Sequence, residues 1–316
     1  MRATVTGGCG FIGSHVVDRL LSAGHEVVVV DGTLGRTNPA ASYARADILD
    51  LPGLTAAMEG SEVVFHLAAM SNVDEIATDP VRATRMNVEG TVCVLEAARR
   101  SGCARVVLAS TVWVYGAAHG EAGPGGVELT EDVPFDVGRV GHLYVAGKLA
   151  AELAVHSYHD LYAQHYTILR YGIPYGPRMR DELVVARFVQ AALAGRPITI
   201  AGDGGQTRNW VYVEDLAEAH VRALSPAAQD QTFALEGDTA VSIKEIADTV
   251  SSLLGPLAVE HVPARAGDYA ARAISNAKAK RLLGWSPSTG FADGVRRYID
   301  WYRSSGAAGD LPPTSS

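Results

Sequence analysis

The segment Thr6-Gly7-Gly8-Cys9-Gly10-Phe11-Ile12-Gly13 lies between a β-branched run, Ala3-Thr4-Val5-Thr6, and a helical pattern from Ile12 to Ala23 that Gly24 closes. Glycines at 7, 10 and 13 let the chain turn tightly, bring backbone close to a pyrophosphate and seat the helix against a sheet. The N–H groups at the start of that helix, with the positive end of its dipole, then face the phosphates. A lone glycine triplet also occurs in tight strand–helix turns that bind nothing. Here the strand–loop–helix order is complete, and Asp31 ends the next strand, Glu26 to Asp31, 18 residues after Gly13. A carboxylate at that place accepts from ribose hydroxyls and repels a 2′-phosphate, so the cofactor expected is NAD. Arg36 is the nearby feature that leaves NADP open.

More apolar runs follow, Val63 to Leu67 and Arg105 to Ala109, with a helical stretch from Val88 to Arg100 between them. Runs apolar throughout and alternating with helices predict a parallel sheet covered on both faces. The fold class expected is therefore α/β, a Rossmann doubly wound sheet. From about Tyr175 the texture changes to shorter segments broken by Pro and Gly, which predicts a smaller mixed α/β C-terminal domain. The expected boundaries are 1–172 for the nucleotide domain with a segment near 207–224 returning to it, 173–305 for the second domain, and a disordered tail at 306–316.

The composition narrows what such a chain does. Hydrophobic residues make up 47% and charged residues 20%, as in ordinary globular proteins. With 27 basic and 35 acidic residues the net charge is −8, against the basic face that a nucleic-acid partner needs. Cys9, Cys93 and Cys103 are too few for a disulfide framework and lack metal-ligand spacing, so no metal is expected. The histidines at 142, 156, 159 and 165 share no helical face, which favours surface or partner-helix contacts over ligation. No apolar run reaches the roughly 18 residues of a membrane span, and the glycine motif sits where a signal peptide would continue. A cytoplasmic protein is expected.

Tyr144 and Lys148 are four apart in YVAGKLAAE, a segment of helical composition, so they project from one face. A tyrosine of ordinary pKa, about 10, is a poor base near neutrality, and a neighbouring ammonium favours its phenolate. Thr111, just past a strand end where ligands bind in such sheets, could hydrogen-bond the same substrate hydroxyl.

TGGCGFIGSH, FHLAA, NVEGT, STVWVYG, YVAGK, RYGIPYGP, GDGGQTRNWVYVEDLAEA and KRLLGW, in this order, resemble the extended short-chain dehydrogenase/reductases. More narrowly the chain is similar to the NAD-dependent epimerase/dehydratases that act on nucleotide sugars. The resemblance implies a pyrophosphate loop of Gly7, Gly10, Phe11, Ile12 and Gly13, with Asp31 as the ribose acid. It implies Asp47 and Ile48 beside adenine, and Leu67, Ala68, Ala69, Asn87 and Tyr171 along the cofactor. Thr111, Tyr144 and Lys148 match the catalytic triad, and Tyr144 and Lys148 also count among the cofactor-binding residues. Arg208 and Arg265 match two arginines that hold the substrate's diphosphate, a task suited to a bidentate guanidinium. Asp268, Ser71 and Trp113 are placed at the substrate as well. The resemblance further implies a homodimer built on the helices around 87–100 and 144–158.

Family members share oxidation of a sugar hydroxyl and then diverge. A 4,6-dehydratase has an Asp-Glu pair directly after the triad threonine, and a UDP-glucuronate decarboxylase a Glu two residues after it. Here Val112 and Trp113 follow, and neither exchanges a proton, which favours 4-epimerisation; His119 or Glu121 could still supply an acid. Dehydratase, decarboxylase and ketoreductase outcomes stay open, as does a non-catalytic NAD-binding role, which would normally lose the Tyr–Lys pair. Ile173 stands where the family often has an asparagine that contacts the diphosphate, which favours an unusual nucleotide or sugar.

Overall fold

The structure, a computed structural model, describes residues 1–33, 35, 37–118, 128–263 and 273–305. Arg36, His119, Glu121, Arg265, Asp268 and the tail 306–316 lie outside the described residues. The chain divides into two compact units. One comprises Met1–Tyr171, Leu216–Leu235 and Ala273–Ser286, the other Gly172–Asp215, Glu236–Arg272 and Pro287–Ser316.

In the first unit the chain lays down β1 (Arg2–Thr6), β2 (Glu26–Asp31), β3 (Ser42–Arg45), β4 (Val63–His66), β5 (Arg105–Thr111) and β6 (His165–Tyr171). It then leaves for β7 (Ile173–Tyr175), β8 (Ile198–Ala201) and β9 (Thr207–Tyr212), and returns with β10 (Gln231–Leu235). Among the described residues the central sheet has seven strands in the order β10-β6-β5-β4-β1-β2-β3, all parallel. This is the doubly wound Rossmann sheet. Val5, Val29, Val64, Phe65 and Leu108 are almost fully buried, because helices cover both faces.

The register brings polar strand ends together. Thr6, Asp31, His66, Thr111 and Tyr171 close β1, β2, β4, β5 and β6, with Thr6 opposite His66 and Thr111 opposite Tyr171. The segment at 207–224, expected to return to this unit, divides differently. Residues 207–212 form β9 of the second unit, and the returning segments are Leu216–Leu235 and Ala273–Ser286. The apolar alternation of the helix Val213–Arg222 is legible in sequence, whereas the strand preceding it shows its partners only in three dimensions.

In the second unit β9 pairs in parallel with β7 and antiparallel with β11 (Ala240–Ser242), while β12 (Val259–Val262) runs parallel to β8. Ser242 and Glu245 form a reciprocal capping box that starts the helix Ile243–Leu254. Asp215 accepts hydrogen bonds from the Ser288 hydroxyl and from the Ser288 and Thr289 amides, fixing the turn before the helix Phe291–Ser304. No helix among the described residues is long and apolar enough to cross a membrane.

Glu236, just past β10, is buried, and burial pushes its carboxyl up to about 8, opposed by a hydrogen bond from the Gly237 backbone. Between an ordinary value of 4.5 and about 8 the folded chain therefore holds a proton that the unfolded chain releases. Stability contributed here falls as pH rises through that window. Glu236→Gln is expected to be more stable than the parent above this window and to lose less stability across it. Urea midpoints at its two ends check this; an equal fall in both proteins contradicts it.

Candidate active site

Each loop glycine meets a different constraint. Gly7 has φ +73°, and a Cβ on it would lie 2.7 Å from the Ala68 amide nitrogen. A Cβ on Gly13 would collide with the Gly7 carbonyl oxygen, so the third glycine seats the helix Phe11–Ser22 on the loop. Gly10 is exposed, and its nearest obstruction is the Gly7 carbonyl at 3.2 Å, which leaves its outer side open for close approach. Among the described residues no side chain caps that helix, and its first turn holds no acid. The N–H groups of Phe11, Ile12 and Gly13 therefore present an uncancelled positive end. Asp31 accepts from the Cys9 amide (3.0 Å) through one oxygen and from the Thr33 amide (3.1 Å) through the other, tying the acid to the loop. Loop, helix start and carboxylate together fit a dinucleotide without a 2′-phosphate.

Gly13→Ala is expected to move the helix off the loop, at about 1–3 kcal/mol. NAD affinity should fall about tenfold or more, roughly the 1.4 kcal/mol step in binding. Equilibrium dialysis against NAD measures it, and unchanged affinity contradicts the reading.

Beneath the loop a buried chain of hydrogen bonds connects the strand ends. The Thr6 hydroxyl meets His66 Nδ1 (2.8 Å), His66 Nε2 meets the Thr91 hydroxyl (3.1 Å), and Thr91 donates to the Asn87 carbonyl (2.8 Å). Burial, assisted by the charge of Lys148, lowers His66 to about 3, so its ring is neutral. Asn87 sits in a π-helical turn, Arg85–Glu89, of the kind that often marks functional sites. Its side-chain amide donates to the Met70 carbonyl (2.9 Å) and accepts from the Met70 amide (2.8 Å), clamping the backbone just past Leu67, Ala68 and Ala69. Those three are half-buried, and Ser71 beyond them is exposed. Asp47 is exposed, whereas the Ile48 side chain belongs to the core and packs where Gly90 lacks a Cβ.

The helix Leu143–Tyr162 carries Tyr144 and Lys148 in its first two turns. Lys148 is buried, donates to the Ala109 carbonyl (2.9 Å) and holds its Nζ 6.0 Å from the centre of the Tyr144 ring. Burial lowers the ammonium to about 8, while Glu152 opposes that shift. Thr111 accepts from the Trp113 amide (3.2 Å), which starts the 3-10 turn Val112–Ala117. That turn sets the half-buried Trp113 ring edge-on to Tyr144, centroids 6.0 Å apart at 89°. Threonine, tyrosine and lysine thus share one end of the sheet. His142, read from sequence as a surface or partner-helix residue, is exposed, and its ring stacks on Tyr144 (6.2 Å, 15°) and meets Trp113 edge-on. Tyr171 is buried with its hydroxyl on His220 Nε2. His220 Nδ1 faces the Leu216 carbonyl, so Nε2 is the acceptor and the Tyr171 hydroxyl is already committed.

Sequence reasoning missed the layer behind these groups. Glu152 lies one further turn along the Tyr144–Lys148 stripe, buried, and accepts from the Ser110 hydroxyl beside Thr111. It pairs in two places with buried Arg170, at 3.1 Å to Nε and 2.8 Å to Nη2. Arg170 also donates to the Tyr115 hydroxyl and the Glu131 carbonyl. The 144, 148, 152 spacing was the signal that could have found Glu152.

Arg208 belongs to the second unit, half-buried on β9, where its guanidinium donates to the Thr207 carbonyl (2.7 Å). Ile173 is half-buried on β7 opposite Trp210.

The family described as "NAD dependent epimerase/dehydratase family" matches residues 3–235. A UDP-glucose 4-epimerase of Mycolicibacterium smegmatis is 37% identical, over 96% of this chain and 99% of that one. A dTDP-glucose 4,6-dehydratase of Streptomyces antibioticus is 32% identical, over 97% and 94%. The structure of Thermus thermophilus UDP-glucose 4-epimerase in complex with NAD superposes with a TM-score of 0.85 at 33% identity, over 96% of this chain and 100% of that one.

Proposed function

The chain belongs to the NAD-dependent epimerase/dehydratase family, and from that premise we propose that it is a nucleotide-sugar 4-epimerase. The observation that carries this reading is the wall behind Thr111. Val112 is buried, and Trp113 packs against Tyr144 and His142, so the positions where family members place an eliminating or decarboxylating acid hold side chains that cannot exchange a proton. Glu131 and Glu152, two carboxylates of the same unit, are buried and hydrogen-bonded to the Ala234 amide and to Arg170. An epimerase needs no second acid.

The Gly7–Gly13 loop, the helix start behind it, Asp31 and the backbone past β4 would hold NAD, which supplies the acceptor and donor of hydride. The rest is done by this chain's own groups. Tyr144, as phenolate beside the Lys148 ammonium, takes the proton of the sugar C4 hydroxyl, and Thr111 hydrogen-bonds the same oxygen. The C4–H bond breaks, leaving a 4-keto sugar and a protonated Tyr144. When the sugar presents its other face the C4–H bond re-forms there, and Tyr144 returns its proton to the oxygen. On the resemblance, Arg208 and Arg265 would hold the diphosphate and Asp268 would contact the substrate, while in the first unit Ser71 and Trp113 would frame the sugar. Ile173 offers no hydrogen bond to a diphosphate, which favours a nucleotide or sugar other than a common UDP-hexose.

A panel of nucleotide sugars, incubated with the purified enzyme and no added reductant, tests this. The expected result is a C4 stereoisomer formed over many turnovers without net NADH; stoichiometric consumption of cofactor, or a released ketone, would favour a reductase or dehydratase. We also place the enzyme in the cytoplasm as a homodimer. Val92, Leu153 and Leu161 are exposed on the helices Gly90–Arg100 and Leu143–Tyr162, an apolar surface suited to a second copy. A sedimentation mass of one chain would rule the dimer out.

A further inference from the structure

His159, His165 and Asp230 reach one another from three places in the first unit. They lie on the last turn of the helix Leu143–Tyr162, on the first residue of β6 and on the residue before β10. One ligand atom of each lies within 4.8 Å of the other two. His165 Nδ1 is 2.9 Å from one oxygen of Asp230, and His159 Nδ1 is 3.5 Å from the other. We infer that these three side chains form a binding site for a divalent transition-metal ion of the zinc class, separate from the catalytic end of the sheet.

The donor set selects the ion. Two imidazoles and one carboxylate suit zinc, cobalt or nickel, whereas magnesium and calcium prefer oxygen donors throughout. Bonds of about 2.0–2.1 Å in a tetrahedron set neighbouring donors about 3.3–3.4 Å apart, so binding draws the three together and takes His159 Nδ1 off the Gln164 carbonyl, to which it is hydrogen-bonded at 3.2 Å. The side chains are 34%, 41% and 27% exposed, which leaves a fourth position for water.

The carboxylate is held in advance. Asp230 adopts φ +56°, a left-handed conformation that few residues other than glycine tolerate. Its amide donates to the Tyr166 carbonyl (2.7 Å), and one of its oxygens accepts from the Tyr166 amide (3.1 Å), which fixes it to the start of β6. The amide group of Gln229 is oriented by Arg105 on its oxygen, so its nitrogen faces His165 Nε2 at 3.3 Å. His165 therefore carries its proton on Nδ1, toward Asp230. Metal binding at Nδ1 moves that proton to Nε2 and turns the Gln229 amide away.

The site lies at the opposite end of β6 from Tyr171, about 20 Å along the strand. It would pin the C-terminal end of the helix whose first turns carry Tyr144 and Lys148, so the expected role is structural and does not enter the redox cycle.

The test uses the full chain without an affinity tag, stripped with chelator and titrated with zinc against a chromophoric competitor. In parallel it is titrated with cobalt, followed by visible absorption. The expected result is one equivalent of zinc per chain, tetrahedral cobalt bands and a raised thermal midpoint, with no response to magnesium or calcium. His159→Ala, at an exposed helix end, and Asp230→Asn should each weaken zinc binding by about tenfold or more. Failure to bind one saturable equivalent, absence of the cobalt bands, or affinity unchanged in both variants would overturn the inference and leave the cluster as hydrogen bonding alone.

Discussion

Tyr144→Phe is expected to lower turnover by about 10²- to 10⁴-fold, the range for loss of a positioned acid–base group. NAD affinity should stay close to that of the parent. In the proposed mechanism the Tyr144 phenol takes and returns the proton beside Thr111 and Lys148, whereas the loop proposed to hold the cofactor is built on Gly7, Gly10, Gly13 and Asp31. The ring itself is retained, so its edge contact with Trp113 and its stack with His142 persist. A change at the base alone should therefore appear in kcat with the fold undisturbed. The pH dependence has a defined sign. Burial holds the Lys148 ammonium near 8, so raising the pH through that value removes the charge that favours the phenolate, and kcat/KM should fall on the alkaline side. Steady-state rates and NAD binding of both proteins check this; a Phe variant within a few-fold of the parent would exclude Tyr144 as the base.

The second large effect is on stability. Arg170→Met leaves the Glu152 carboxylate buried without its bidentate partner, and breaking a buried pair in this way costs about 3–5 kcal/mol. The network couples Ser110 on β5, Glu152 on the Tyr144–Lys148 helix, Arg170 on β6 and Tyr115 in the turn after Thr111. Its loss should therefore also loosen the geometry of the triad. The double variant Glu152→Gln, Arg170→Met removes the stranded charge and should recover part of the loss. Urea unfolding of the three proteins measures it. A single Met variant as stable as the parent would mean that Glu152 finds water or another partner.

Much of the first unit is legible in sequence because its signals are local. Strand β2 reads directly as EVVVVD, the glycine loop announces the helix Phe11–Ser22, and Tyr144 and Lys148 declare a helical face by their spacing. What sequence conceals is long-range. The strand Ser42–Arg45 is short and not apolar, so its place beside β2 rests on backbone pairing that no pattern reports. β10 joins β6 across the 59 residues that separate Tyr171 from Gln231, after the chain has built β7 to β9. The same distance hides Asp230 from His159 and His165, which seem unrelated on a helical wheel because His165 is not on the helix at all. Glu152 and Arg170 look like ordinary surface charges until the fold buries both. The Tyr171 hydroxyl finds its partner in His220, 49 positions away, a pairing that no local pattern reports.

The most direct test of the central claim is isotopic. A nucleotide sugar carrying deuterium at C4, incubated with the enzyme in ordinary water, and the unlabelled sugar incubated in heavy water, should both give the C4 stereoisomer. In the first reaction the product keeps its deuterium at C4, and in the second it gains none at carbon, because the hydrogen that leaves returns to the same carbon. Deuterium from solvent at C5 or C6, or a product lighter by water or carbon dioxide, would contradict the account and show that a proton-transferring group acts beside Thr111.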